Sequence, residues 1–114
     1  MMMTSPSGAN TFIVRGFKSK QALNNHWRDH GEEYPEFNSA QYEQRALELI
    51  ESPVGENILG HIDKVGVLIR YDKSTNDFVK GRPIKGIFTM FKPEDGINYY
   101  ETRKKEDIEH GGRE

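Results

Sequence analysis

Four β-rich segments, residues 57–62, 65–71, 78–82 and 84–91, follow one another with only short polar breaks between them. The breaks are Asp63-Lys64, residues 72–77, and Pro83 with its neighbouring glycines. Parallel pairing needs a crossover of roughly a dozen residues or more, so spacings this short admit only antiparallel hairpins. Strand alternation then puts Val67, Ile69 and Tyr71 on one face and Leu68 and Arg70 on the other. In the last segment Ile87, Thr89 and Phe91 alternate with Phe88 and Met90. Residues 96–100 read as a final edge strand, and residues 101–114 as a charged, solvated tail.

The chain before the sheet reads as helical. Residues 11–17 are a short apolar run, either a strand or a packed lead-in. Ser19 is an N-cap for a helix running to about His30, with Gly31 supplying a left-handed C-terminal residue. Asn38 opens a second helix with Gln41 as its capping-box partner and Phe37 stapled onto Tyr42. Its apolar face is Tyr42, Ala46, Leu49 and Ile50, and Ser52-Pro53 stops it. The expected fold is therefore α+β, with N-terminal helices packed on a four-stranded antiparallel sheet.

At 114 residues the chain has the length of one domain. Residues 1–10 read as a flexible leader, 11–100 as the domain and 101–114 as the tail. With no cysteine there is no disulfide framework, zinc ribbon or thiol nucleophile. No run approaches the ~18 apolar residues of a membrane span, and residues 1–10 lack the basic and apolar regions of a secretory signal. The net charge of −2 argues against simple nucleic-acid binding, but the charge is unevenly placed. Residues 20–51 hold three basic and seven acidic side chains, residues 57–93 seven basic and three acidic, and residues 94–114 four basic and seven acidic. The sheet segment is thus the basic one, and either a working surface or a solvated face would account for it.

The first helix carries the oddest pattern. Leu23, His26, Trp27 and His30 share one face, so two histidines turn inward where aliphatic residues would pack without needing hydrogen-bond partners. Their i, i+4 spacing could chelate a metal, with His61, His110 or a carboxylate as third ligand. The glutamate that zinc hydrolases carry between such histidines is missing, and no metal site is assigned. Acid–base chemistry is the better use. Arg70, in a strand rather than a loop, is rigid enough to grip a phosphate. Asp72 and Asn76 read as turn residues. Thr89, with a histidine, an arginine and Tyr99 or Tyr100, completes the groups needed for RNA cleavage without a cofactor: a base for the 2′-OH, an acid for the leaving oxygen, and fixed donors for the phosphorane.

The order of these segments resembles the toxin branch of the barnase, colicin D and RelE-like ribonuclease superfamily, found at the C-termini of polymorphic and contact-dependent-inhibition toxins and in prophages. The resemblance spans about residues 17–100. It rests on His-Trp-Arg-Asp-His-Gly at 26–31, residues 42–46, Ile-Arg-Tyr-Asp at 69–72 with Thr-Asn-Asp-Phe at 75–78, Gly-Ile-Phe-Thr-Met-Phe-Lys-Pro at 86–93, and Tyr99-Tyr100. It implies a metal-independent ribonuclease acting on tRNA or other translation-related RNA in the bacterial cytoplasm, with no cofactor, no DNA or membrane partner, and a cognate immunity protein or antitoxin. By likeness His30, or His26, is the acid/base residue, Arg70 the phosphate clamp, and Thr89 with Tyr99 or Tyr100 auxiliary donors. His30, nearer the helix end, is favoured, with His26 supporting it. Thr75, Lys92 and Tyr71 fall on the substrate-binding side. The alternative is a non-catalytic RNA- or protein-binding module that uses the basic sheet, with Phe88, Phe91 and Tyr99 as a stacking platform.

Overall fold

Ser19 starts the first helix from extended backbone, its side chain accepting the Ala22 N–H at 3.0 Å, and α1 runs over Lys20–His30. In this computed structural model, which describes residues 11–114, the leader expected at 1–10 lies outside the described residues. Gly31 differs from expectation. Its φ of −57° is right-handed, and the chain continues into a 3₁₀ turn, Gly31–Glu33, instead of a left-handed cap. Glycine leaves room there for the Trp27 ring, which a Cβ at this position would crowd at 3.1 Å.

Asn38 and Gln41 form the reciprocal capping box, and α2 follows over Ser39–Glu51. Its expected face, Tyr42, Ala46, Leu49 and Ile50, is buried, together with Leu47. The Tyr42 hydroxyl donates to the Met90 carbonyl and so ties α2 to the sheet.

The sheet is an antiparallel meander of β1 (Ile58–Ile62), β2 (Leu68–Asp72), β3 (Asp77–Arg82) and β4 (Gly86–Phe91), in that spatial order. The fold is α+β, with the helices α1 and α2 preceding the strands. Leu68, Val79, Ile87 and Met90 pack with Tyr34, Tyr42, Ala46, Leu49 and Ile50 on the inner face. On the outer face Val67, Ile69, Tyr71 and Phe78 pack with Tyr100. One alternation is corrected: Ile87 joins Met90 inside, while Phe88 and Phe91 lie on the outer cluster. The cause is a register shift at Lys80/Gly81, which adds a residue to β4 and turns its side chains over part-way along. Residues 11–17 are the packed lead-in and not a strand of the sheet. Phe12 and Phe17 are buried, and Phe17 makes an isolated parallel bridge to Ile87.

A second correction concerns the C-terminal part. The expected edge strand at 96–100 and tail at 101–114 are instead a third helix, α3, spanning Ile97–Glu109. Gly96, at φ +57°, reverses the chain into it. The helix docks through Tyr100, 1% exposed, which stacks on Tyr71, and through Asp107, which pairs with His61 Nε2 at 2.7 Å. Beyond it Arg113 bridges Ile62. No helix among the described residues is long and apolar enough to cross a membrane.

The β2–β3 turn behaves as read. Asn76 is left-handed at φ +63°, and Asp72 accepts the Ser74 N–H at 2.8 Å. Asp77, 2% exposed, is then fixed from two sides: Arg45 of α2 donates Nε at 3.0 Å, and Lys92, just after β4, donates Nζ at 2.8 Å. Arg45 Nη2 also reaches Asp72 at 2.8 Å. Asp77→Ala would leave Lys92 without its carboxylate and Arg45 with Asp72 alone, and we expect a loss of roughly 1–3 kcal/mol in urea unfolding. A loss below about 1 kcal/mol would show the cluster to be dispensable. Burial alone would raise both carboxyl pKa values, but hydrogen bonds from Lys92 and Thr75 to Asp77, and from Ser74 and Arg45 to Asp72, lower them overall. Stability from these groups is therefore present above the unfolded value of about 3.9 and is lost as pH falls through the lower folded values.

Candidate functional site

Where α1 ends beside the edge strand β4, both histidines of the His-Trp-Arg-Asp-His segment find polar partners. His26 Nδ1 and Thr89 Oγ1 share a hydrogen bond at 3.2 Å. His30 Nδ1 lies 2.7 Å from Glu33 Oε2, and the other carboxylate oxygen of Glu33 accepts the Lys92 backbone N–H at 2.7 Å. Glu33 is thus held on one side by the sheet and holds His30 on the other. A carboxylate on Nδ1 selects the tautomer with its proton there, leaving Nε2 to exchange a proton with a substrate. The two imidazoles stack with centroids 6.0 Å apart, and His30 stacks on Phe91 at 5.6 Å. The inward helix face is therefore an apolar anchor through Leu23 and Trp27, and a polar edge through the histidines.

Burial lowers the His26 pKa, and the charges of His30 and Lys18 lower it further against the opposing pull of Asp29. The pair thus favours a neutral His26. Lys18 is close enough to act on His26 and lies over the Phe88 ring at 5.6 Å. Lys80 stands directly across from Thr89 in the β3–β4 register, on the same outer face. Lys18 thus neighbours His26, the partner of the Thr89 hydroxyl, and Lys80 is the cross-strand neighbour of Thr89.

Tyr99 belongs to the same surface, edge-on to Phe91 at 5.6 Å and to Phe78 at 5.1 Å. Arg70 does not. Its cross-strand partner is Val79, so its side chain lies on the inner face, opposite Thr89. There it is 6% exposed and donates Nε to the Ser52 carbonyl at the end of α2 and Nη1 to the Ile69 carbonyl. This is a cap on a helix C-terminus, and Gly60 opposite leaves room for it, since a Cβ there would lie 2.4 Å from Arg70 Nη1. Tyr100 is buried and bonded to His61 Nδ1 at 3.1 Å. Tyr71 is buried too, donating to Asn76 Oδ1 at 2.6 Å. Thr75 and Lys92 are engaged with Asp77. The expected list thus divides: His26, His30, Thr89 and Tyr99 come together, whereas Arg70, Tyr71, Thr75, Lys92 and Tyr100 serve packing or the Asp77 cluster.

Three residues of the assembled surface were not among the expected ones: Glu33, Lys18 and Lys80. Glu33 stands three residues after His30, a spacing that brings side chains together on a helical turn and was the available signal. Lys80 becomes a neighbour of Thr89 through strand register, and Lys18 comes near His26 because its backbone N–H bonds the Ile87 carbonyl at 3.0 Å. Among the described residues, no group of three or more His, Asp, Glu or Cys is placed to hold a metal ion.

The lowered His26 value yields a direct check. In a proton NMR titration of the four histidines, the His26 ring resonance should move with a midpoint below about 6.5. A midpoint above that would contradict the burial and the His30 contact. The sequence matches no protein-family model, and no curated protein matches it at a significant level.

Proposed function

We propose that the chain is a metal-independent endoribonuclease of the toxin kind, cleaving RNA by attack of the ribose 2′-OH on the adjacent phosphate. The observation that carries this reading is the pair of stacked imidazoles, one on Thr89 and the other on Glu33, where α1 meets the half-buried outer side of β4. Two like groups in different surroundings can supply a base and an acid at one site, and here burial favours the neutral, base form of His26.

In this mechanism neutral His26 takes the 2′-OH proton as O2′ attacks phosphorus. The P–O5′ bond breaks, and His30, oriented by Glu33, gives a proton to the departing O5′. The products are a 2′,3′-cyclic phosphate and a 5′-hydroxyl. Thr89, Lys18 and Lys80 face the charge that accumulates on the phosphorane oxygens. DNA lacks the nucleophile and is not cut. On this reading the substrate is tRNA or other translation-related RNA in the bacterial cytoplasm, and a cell carrying the chain needs an immunity protein or antitoxin. The row of rings at the same edge favours a second reading, a binding module without turnover, which His30→Ala would leave unaltered.

Expression in bacteria should arrest growth and fragment RNA, and His30→Ala should restore growth. With purified protein in EDTA, His30→Ala should slow cleavage by about 10²–10⁴-fold while leaving thermal unfolding nearly unchanged. Glu33→Gln should give a smaller loss. Intact RNA and normal growth with the unaltered chain would contradict the proposal.

A further inference from the structure

The outer face of the sheet is covered unevenly. Val67, Ile69, Tyr71 and Phe78 are buried together with Tyr100 of α3, whereas Lys80, Phe88, Thr89 and Phe91, toward the β4 edge, are only half-buried. α1 flanks this strip on one side and Tyr99 and Arg103 of α3 on the other. The rings here differ in what meets them. Phe91 has His30 on one side and Tyr99 on another. Phe88 and Tyr99, in contrast, are each met by a cation: Lys18 Nζ lies 5.6 Å from the Phe88 centroid, and Arg103 Cζ 5.5 Å from that of Tyr99. Arg103 donates Nη2 to Glu106 at 2.7 Å, yet its Nε is buried without a partner.

From this we propose that the strip binds an unpaired RNA segment by stacking one base on Phe88 and another on Tyr99, the capping cations moving from the rings to phosphates. The proposal rests on the ribonuclease reading for the class of ligand and adds how that ligand is held. A nucleotide presents a flat π-face and an anion together, matching a ring and a cation side by side. Stacking of a base outweighs an exposed cation over the same ring, so Lys18 is displaced from Phe88, while Arg103, whose Nε has no partner at Tyr99, gains one at a phosphate. Tyr99 suits the role because its edge contacts with Phe78, 81° between planes, and with Phe91, 77°, fix its plane before binding. Bases in a duplex have both faces occupied, so the strip selects single strands.

The test uses the full chain and a short single-stranded oligonucleotide with 2′-O-methyl riboses, which binds without being cut, followed by fluorescence anisotropy. The single strand should bind at least about tenfold more tightly than its duplex. Phe88→Leu and Tyr99→Leu, which keep apolar packing, should each weaken binding by about tenfold, whereas Tyr99→Phe should not. Lys18→Ala should reduce the salt dependence by about one counterion. Equal affinity for single strand and duplex, leucine variants that bind as tightly as the parent, or no binding at all because the face takes a protein instead, would each overturn the inference. Ring-dependent binding without cleavage of ordinary RNA would support it while removing the enzyme reading. Cleavage with ring-independent binding would do the reverse.

Discussion

Asp77 is the point at which the parts of this structure are joined. Its carboxylate lies at the start of β3, almost without solvent, between Arg45 of α2 and Lys92 at the exit of β4. A buried carboxylate is tolerated only where such partners compensate its lost hydration, so the helix and two strands must meet there together or not at all. The constraint also extends to the candidate site. The residue whose Nζ holds Asp77 gives its backbone N–H to Glu33, and Glu33 holds His30. The orientation of one imidazole at the protein edge is in this way coupled to a charge cluster in its interior through a single residue, Lys92.

The second constraint is the irregularity between β3 and β4. An unbroken strand would place Ile87 with Thr89 and Phe91, and Met90 with Phe88. The register shift puts Ile87 and Met90 inward together and leaves Phe88, Thr89 and Phe91 to the outer edge. Bulges often re-aim side chains in this manner. Here the result is that a hydroxyl and two rings gather beside the histidines of α1, while the packing demands of α2 are still met by aliphatic side chains.

Much of this was legible in the sequence because it is local. The hairpin spacing required an antiparallel sheet, Asn38 and Gln41 are three residues apart, and the period of Tyr42, Ala46, Leu49 and Ile50 is strongly helical. α3 was not legible for a physical reason. It is held by two tyrosines, Tyr100 on Tyr71 and Tyr99 against Phe78 and Phe91, and by the polar contacts of His61 with Tyr100 and Asp107, so most of its surface is solvated and its apolar period is weak. At the site, the histidine pair and Thr89 stood out by residue type. The face of Arg70 could be told only from what covers each side of the sheet. A guanidinium in a strand suits a phosphate clamp equally well as a cap on a buried carbonyl, and only the position of Ser52 decides between them. Glu33, adjacent to Glu32 in an acidic stretch, had no mark of its own beyond its distance from His30.

In the proposed reaction the two imidazoles move protons between ribose oxygens, and no water enters the first step. The chemistry of the fragment ends reports this directly. Mass spectrometry of RNA incubated with the protein in EDTA should find 2′,3′-cyclic phosphates paired with 5′-hydroxyls. Fragments ending in 3′-hydroxyls with 5′-phosphates, or RNA that remains whole, would contradict it.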